Sequence, residues 1–330
     1  MKAAFMTFPA PQYIQHDGLK LASYSAGPAR AGDEIGTILL VHGWPELAYS
    51  WKNMITPLAQ AGYRVIAYDL RGFGHSDAPS DGPSRGAHHY GIAQQVGDLE
   101  AVMDFYGVSS AVICGHDWGG IIVWHAARML AERVSAVVSI CTPHVGQAPA
   151  DPIKIFKKRH GGEHYFVHFT ERPGVADDLF ARDPYAFFRL MFRTTPKGAK
   201  PKAGQASIPE KFAAYLKAGA PPLKGNLLER ADRDVYVKAY RESGFHGGIG
   251  LYRNSTENWE LTRGLSQTVH QPSLMICAQD DLFLPPSLSE DMDRLVPNMT
   301  RHIIEDCGHW AMWEQPEKVL SHMKAWLSRL

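Results

Sequence analysis

The feature that most limits the fold is a series of short runs, each apolar almost end to end and each parted from the next by a helix-length stretch. The runs are 36–42 (GTILLVH), 64–69 (RVIAYD), 110–116 (SAVICGH) and 134–141 (VSAVVSIC), and none alternates polar with apolar residues. A strand wetted on one face alternates; a strand covered on both faces does not. Between the runs, residues 48–60, 90–106 and 119–131 read as helices. Strand–helix–strand repetition at this spacing calls for a parallel sheet with helices on both faces.

The rhythm breaks at His144. From there to about Gly264 the chain is rich in aromatic, Arg and Pro residues, with helical pieces and no further buried strand. The segment 143–152 (PHVGQAPADP) opens this region with turn residues. Strand-like runs resume at 273–279 (SLMICAQ) and 300–305 (TRHIIE), and a helix over 316–329 ends the chain. A sheet that stops and then resumes describes an insertion rather than a second domain in series. The expected fold class is α/β: a core of 1–144 and 265–330, mostly parallel, with an inserted helical cap over 145–264.

Charge and cysteine usage narrow the partners. Thirty-four basic residues balance thirty-four acidic ones, so no overall field favours nucleic acid or a membrane surface, and a small molecule is the expected partner. No run nears the ~18 apolar residues of a membrane span, and Met1–Ala10 lacks the pattern of a secretory signal. Cys114, Cys141, Cys277 and Cys307 sit in or beside apolar runs without C-x-x-C spacing, which fits reduced thiols in a cytoplasmic protein. A homo-oligomer is compatible with all of this.

The strongest chemical signal is GHDWGG at 115–120, between the run ending near 114 and the helix starting near Gly119. This is the strand–turn–helix setting of a nucleophile elbow, with Asp117 projecting at a helix N-terminus where unpaired N–H groups favour an anion. An Asp that merely caps the helix would leave the flanking glycines without a purpose. A carboxylate is ionised at neutral pH and needs no base to attack. Attack on a carbonyl would give an anhydride; attack on sp³ carbon gives an alkyl ester that activated water must then hydrolyse. Epoxides and carbon–halogen bonds both suit that chemistry.

Water activation needs a His held by an acid. His309, in DCGHW (306–310), follows the last strand run, and the acid belongs in the loop after 273–279, where Asp280 and Asp281 are not separable by spacing. Asp306 is a nearby competitor. The order nucleophile, acid, His is that of the elbow-bearing hydrolases. The oxyanion calls for two backbone donors: the N–H of Trp118, and that of Trp44 in HGWPE (42–46), where Pro45 lacks an N–H and a cis Trp44–Pro45 bond suits the turn.

These motifs, with DLRGFGHSD (69–77), HYFVHFTERPGVAD (164–177) and SGFHGGIGLYRN (243–254), resemble the α/β-hydrolase-fold epoxide hydrolases over about residues 20–327. The resemblance is to the soluble, bacterial type, without the N-terminal phosphatase domain of mammalian members, so hydrolase activity alone is expected. It implies hydrolysis of an epoxide to a vicinal diol through an ester on Asp117. It places the acid at Asp281 in AQDDLF (278–283), and two substrate-binding, proton-donating tyrosines at Tyr165 and Tyr252. A phenol stays protonated at neutral pH and can supply the proton that an opening epoxide oxygen needs. The resemblance also implies that Glu46 helps hold the hydrolytic water; a complete triad and the lack of a credible set of metal ligands lead to the expectation that no cofactor or metal takes part. One departure is Gly250-Leu251 before Tyr252, where many of the family carry Asn-Trp.

Other signals carry less. His160-Gly161-Gly162-Glu163-His164 fits a zinc-protease pattern, but two adjacent glycines would cost the required helix roughly 2 kcal/mol. The rival enzyme is a haloalkane dehalogenase with the same Asp nucleophile, though such enzymes often hold Asn where Trp44 stands, and halide leaves without needing a proton. A non-catalytic binding protein of this fold would be marked by a missing triad member, and none is missing.

Overall fold

The computed structural model describes residues 8–30, 32–82, 85–200 and 207–330. An eight-stranded sheet runs in the order β1-β2-β4-β3-β5-β6-β7-β8. The strands are β1 (Gln12–His16), β2 (Leu19–Ala26), β3 (Gly36–Val41), β4 (Tyr63–Tyr68), β5 (Ala111–His116), β6 (Val134–Ile140), β7 (Ser273–Ala278) and β8 (Met299–Ile304). From β4 to β8 all neighbours are parallel, as expected of the apolar runs.

The two faces separate by alternate residues. Leu39, Val41, Ile66, Ile113 and Val137 point to one side, joined by Leu99 of α2 (Ile92–Phe105, after α1, Lys52–Gln60) and Ile122 of α3 (Trp118–Met129). Ile38, Leu40, Val65, Val112 and Val138 point to the other side, joined by Leu58 of α1 and by Val319 and Trp326 near the C-terminus. Both sets are buried, which is why neither face left a polar stripe in the sequence.

The sequence reading missed the N-terminal hairpin. β1 and β2 pair antiparallel, and β2 adds antiparallel to β4 at the sheet edge. Asp17 and Gly18 join them with φ of 52° and 72°, so the Asp-Gly pair was the available signal for a tight hairpin.

The interruption between β6 and β7 is helical, as expected. It comprises α4 (Pro152–His160), α5 (Tyr165–Glu171), α6 (Val175–Ala181), α7 (Pro184–Met191), α8 (Ile208–Lys217), α9 (Arg230–Ser243), α10 (His246–Arg253) and α11 (Ser255–Leu261). Its interior is aromatic, with Phe169, Phe180, Phe187, Phe188, Phe245 and Tyr252 continuous with the α2–α3 side of the core. After β8 come α12 (Ala311–Glu314) and α13 (Pro316–Leu327). No helix among the described residues is long and apolar enough to cross a membrane.

The DLRGFGHSD segment is a polar staple beneath the site. Asp69 accepts from Ala48 N–H at 2.9 Å, His75 N–H at 3.0 Å and the Tyr24 hydroxyl at 2.9 Å. Arg71 forks onto Asp98 of α2 with two bonds of 2.6 Å, and neither side chain is exposed. Removing one partner of such a pair leaves a buried charge unanswered, which costs about 3–5 kcal/mol. Asp98→Ala should lower unfolding stability by about that amount in urea melts. A loss no greater than that of a surface substitution would show that the fork contributes little.

Candidate active site

The site begins where β5 meets α3. β5 is buried throughout, and at Asp117 the chain turns with φ 52° and ψ −120° before entering α3 at Trp118. A left-handed φ is uncommon for a residue with a side chain and has to be enforced by its surroundings. Glycine makes the required room. A β-carbon on Gly115 would strike the backbone of Gly119, and one on Gly119 would strike the Val41 carbonyl at the end of β3. Gly43 lies against the Asp117 side chain so closely that it too admits no β-carbon. Thr142 holds the turn by donating its hydroxyl to the Asp117 carbonyl at 2.8 Å.

Asp117 Oδ1 accepts the Trp44 N–H at 2.8 Å, and the Trp44–Pro45 bond is cis. Trp118 is the first residue of α3, so its N–H is among the helix donors without an intrahelical acceptor. Asp117 Oδ2 lies 3.6 Å from His309 Nε2. On the far side of the imidazole, Nδ1–H donates to Asp281 Oδ2 at 2.7 Å. Asp281 is fixed in turn, its Oδ1 accepting the N–H groups of Phe283 and Leu284 at 2.8 and 2.9 Å.

The two neighbouring acids of the β7 loop therefore differ. Asp281 reaches His309, whereas Asp280 Oδ1 accepts from Gly198 N–H at 2.8 Å. Asp306 is exposed and pairs with Lys197 at 2.6 Å. The protonation of the buried pair follows from these contacts. Burial opposes charge on His309, but Asp281 and Asp117 outweigh it and hold its pKa well above the ordinary value. Burial likewise pushes Asp281 up, yet His309 and the two backbone donors win and hold its carboxyl below the usual range.

Opposite Asp117 stand the two tyrosines. Tyr165 opens α5 and Tyr252 lies in α10, with ring centroids 5.6 Å apart and planes at 70°. The Tyr252 ring meets the edges of Trp118 at 5.0 Å and Trp44 at 5.5 Å, and Phe169 closes the box at 5.2 Å. Burial first, then the negative charge of Asp117, pushes both phenols upward, so both stay protonated at neutral pH. Gly250 has given its space to Tyr90, whose ring a β-carbon at 250 would strike.

Glu46 stands behind this arrangement, fully buried. Its Oε2 accepts from Gly43 N–H at 2.8 Å and lies 2.8 Å from His116 Nδ1. Burial raises its pKa, but His116 outweighs that and leaves it lowered. His116 Nε2–H donates to the carbonyl oxygen of His309 at 2.8 Å. The Gly43–Glu46–His116 chain thus ties the Trp44 loop to the backbone of His309. The sequence reading left His116 without a role, and its signal was a His facing inward from an otherwise apolar strand.

As for metals, His116, Cys141 and His309 offer ligand atoms within 4.8 Å of one another. Both ring nitrogens of His116 and Nδ1 of His309 are already engaged, and burial keeps the Cys141 thiol protonated. The H-x-x-E-H stretch is broken: His160 ends α4, Gly161 takes φ 83°, and Glu163 bonds Arg172 at 2.9 Å.

The chain is similar to known hydrolases in both sequence and structure. The family model described as alpha/beta hydrolase fold matches residues 36–316. Epoxide hydrolase A of Mycobacterium tuberculosis is 32% identical over 98% of this chain and 99% of its own length. Bifunctional epoxide hydrolase 2 of Sus scrofa is 33% identical over 94% of this chain, which spans 53% of that protein. Among solved structures, Epoxide Hydrolase A from Mycobacterium thermoresistibile superposes with a TM-score of 0.83 at 30% identity, covering 97% of this chain and 98% of that one.

The charge on His309 makes stability depend on pH. A raised His pKa stabilises fully below the unfolded value of ~6.5 and loses that contribution as pH rises through the folded value. A lowered Asp281 pKa stabilises above ~3.9 and loses it as pH falls through the folded value. The stability advantage of wild type over His309→Gln should therefore be greatest near pH ~5–6 and shrink toward alkaline pH in urea melts. An advantage that grows with pH would contradict the charged imidazole.

Proposed function

Because this chain belongs to the α/β-hydrolase-fold epoxide hydrolases, we propose that it opens epoxides by attack of Asp117 on carbon and releases the diol when His309 activates water. Hydrolysis of an epoxide to a vicinal diol is the reaction. Asp117, His309, Asp281, Tyr165 and Tyr252 carry it, and the helical segment 145–264 acts as the cap. The observation that carries the reading is one carboxylate set between a paired imidazole and two protonated phenols.

Oδ1 of Asp117 already holds the Trp44 N–H, which leaves Oδ2 to attack. As the O–C bond forms, the ring C–O bond breaks and its electron pair goes to the epoxide oxygen. That oxygen takes a proton from Tyr165 or Tyr252, which face the attack from the cap side. The product is a neutral ester between Asp117 and the opened substrate.

Ester formation also switches the base on. The Asp117 charge is one of the causes that keep His309 protonated, and esterification removes it. The imidazole then gives up its proton, which restores the phenol ionised by epoxide opening, and takes a new one from water, while Asp281 stabilises the imidazolium that results. Hydroxide adds to the ester carbonyl, the N–H groups of Trp44 and Trp118 hold the oxyanion, and the acyl C–O bond breaks as the added hydroxyl's proton passes to the leaving oxygen, which frees the diol and restores the Asp117 carboxylate. Glu46 supports this step through the His116 link to the His309 backbone. All four cysteines are free and buried, which supports a place in the reducing cytoplasm.

The test is a panel of aryl and alkyl epoxides and haloalkanes, scored for diol and for halide. Diol should form from epoxides. Tyr165→Phe and Tyr252→Phe should each slow its formation, and the double variant should nearly stop it, since general acid catalysis is worth about 10²–10⁴-fold. Halide release without diol, or a folded double variant with wild-type turnover, would overturn the reading.

A further inference from the structure

Residues 191–198 leave α7 and cross to the two core loops that carry Asp281 and His309. The Trp310 indole N–H donates to the Met191 carbonyl at 2.8 Å, and the Phe192 ring stacks on Trp310 at 4.2 Å with planes 17° apart. Thr195 packs against Gly308, where a β-carbon would meet its hydroxyl. Gly198 N–H donates to Asp280 Oδ1 at 2.8 Å. These contacts fall on residues 280, 308 and 310, each adjacent to Asp281 or His309.

The other side of this strap is anchored in the helical insert. Thr194 N–H donates to the Gly225 carbonyl at 2.8 Å, and Leu227 N–H donates to that of Phe192 at 3.0 Å. Arg193 and Asn226 form a β-bridge. The core loops also hold each other, since Asp280 N–H donates to the Cys307 carbonyl at 2.8 Å. No contact of the strap described here falls on Asp117, Trp44, Tyr165 or Tyr252.

We propose that this strap is a positioning element for the Asp281–His309 pair, so that it governs ester hydrolysis while leaving ester formation alone. The proposal rests on the two-step reading above. Asp117 attacks without help from His309, because its carboxylate is already charged. Hydrolysis instead needs the imidazole aimed at a water, and its aim is set by the loops at 280–281 and 308–310. Asp280 and Trp310 act through their neighbours and are positioning residues.

The experiment is rapid mixing of the full chain with an epoxide, acid quench, and mass measurement of the Asp117 peptide over time. Asp280→Ala removes the acceptor for Gly198, and Trp310→Phe keeps the stack on Phe192 but removes the indole donor. In each, ester formation should stay within about twofold of wild type while ester hydrolysis slows about tenfold or more, since a misplacement of ~1 Å can cost ~10²-fold. Ester should then accumulate in the steady state, so kcat and KM fall together. Asp280→Asn, which keeps an acceptor oxygen, should restore most of the hydrolysis rate. Thermal melts of the same samples separate a loosened fold from a misplaced base. Equal slowing of both steps, or unchanged hydrolysis in both folded variants, overturns the strap proposal. If wild type itself never shows an ester on Asp117, the two-step reading fails, and the strap proposal with it.

Discussion

One imidazole buried between two carboxylates is the interaction on which the rest of the site depends. His309 lies 2.7 Å from Asp281 and 3.6 Å from Asp117, with little of any of the three exposed. Three ionisable groups held this close in a dry place are costly unless their charges answer one another. Here an imidazolium meets an anion on either side, and backbone N–H groups take up the remaining oxygens. Under the proposed mechanism, neutralising Asp117 by esterification would weaken the hold on the imidazole proton, so that the contact that stabilises the resting site would also time the second half of the reaction.

The fold supplies this geometry through close backbone packing rather than through further charge. Three parallel strands end at the site, β3 beside β5 and β7 one strand further on past β6, and the loops after them deliver Trp44, Asp117 and Asp281. Their approach is possible because Gly43, Gly115 and Gly119 carry no β-carbon at the points of contact. The aromatic insert then covers the carboxylate with Tyr165, Phe169 and Tyr252 against Trp44 and Trp118. Excluding bulk water strengthens each electrostatic contact inside, and it leaves the phenols as donors beside Asp117.

The parallel strands were legible in the sequence because burial on both faces writes a continuous apolar run. The β1–β2 hairpin was not, because its residues sit at the sheet edge, partly exposed, and show no comparable run. The elbow could be read from glycine spacing, since only glycine tolerates those backbone contacts. Choosing between Asp280 and Asp281 was beyond spacing: the two are adjacent, and the choice depends on which side of the loop faces β8. In the fold one meets His309 and the other meets Gly198. His116 escaped notice because its partners, Glu46 and the His309 backbone, come from distant parts of the chain.

The central claim is that Asp117, and not water, attacks the epoxide. The most direct measurement is a single turnover with enzyme in excess, run in ¹⁸O-labelled water, with the label followed in both the Asp117 peptide and the diol. Hydrolysis at the ester carbonyl puts the water oxygen into the Asp117 carboxylate, while the diol takes its new oxygen from the original, unlabelled side chain. The account predicts a labelled Asp117 and an unlabelled first-turnover diol. Label appearing at once in the diol, with Asp117 unlabelled, would contradict it and make water the direct attacker.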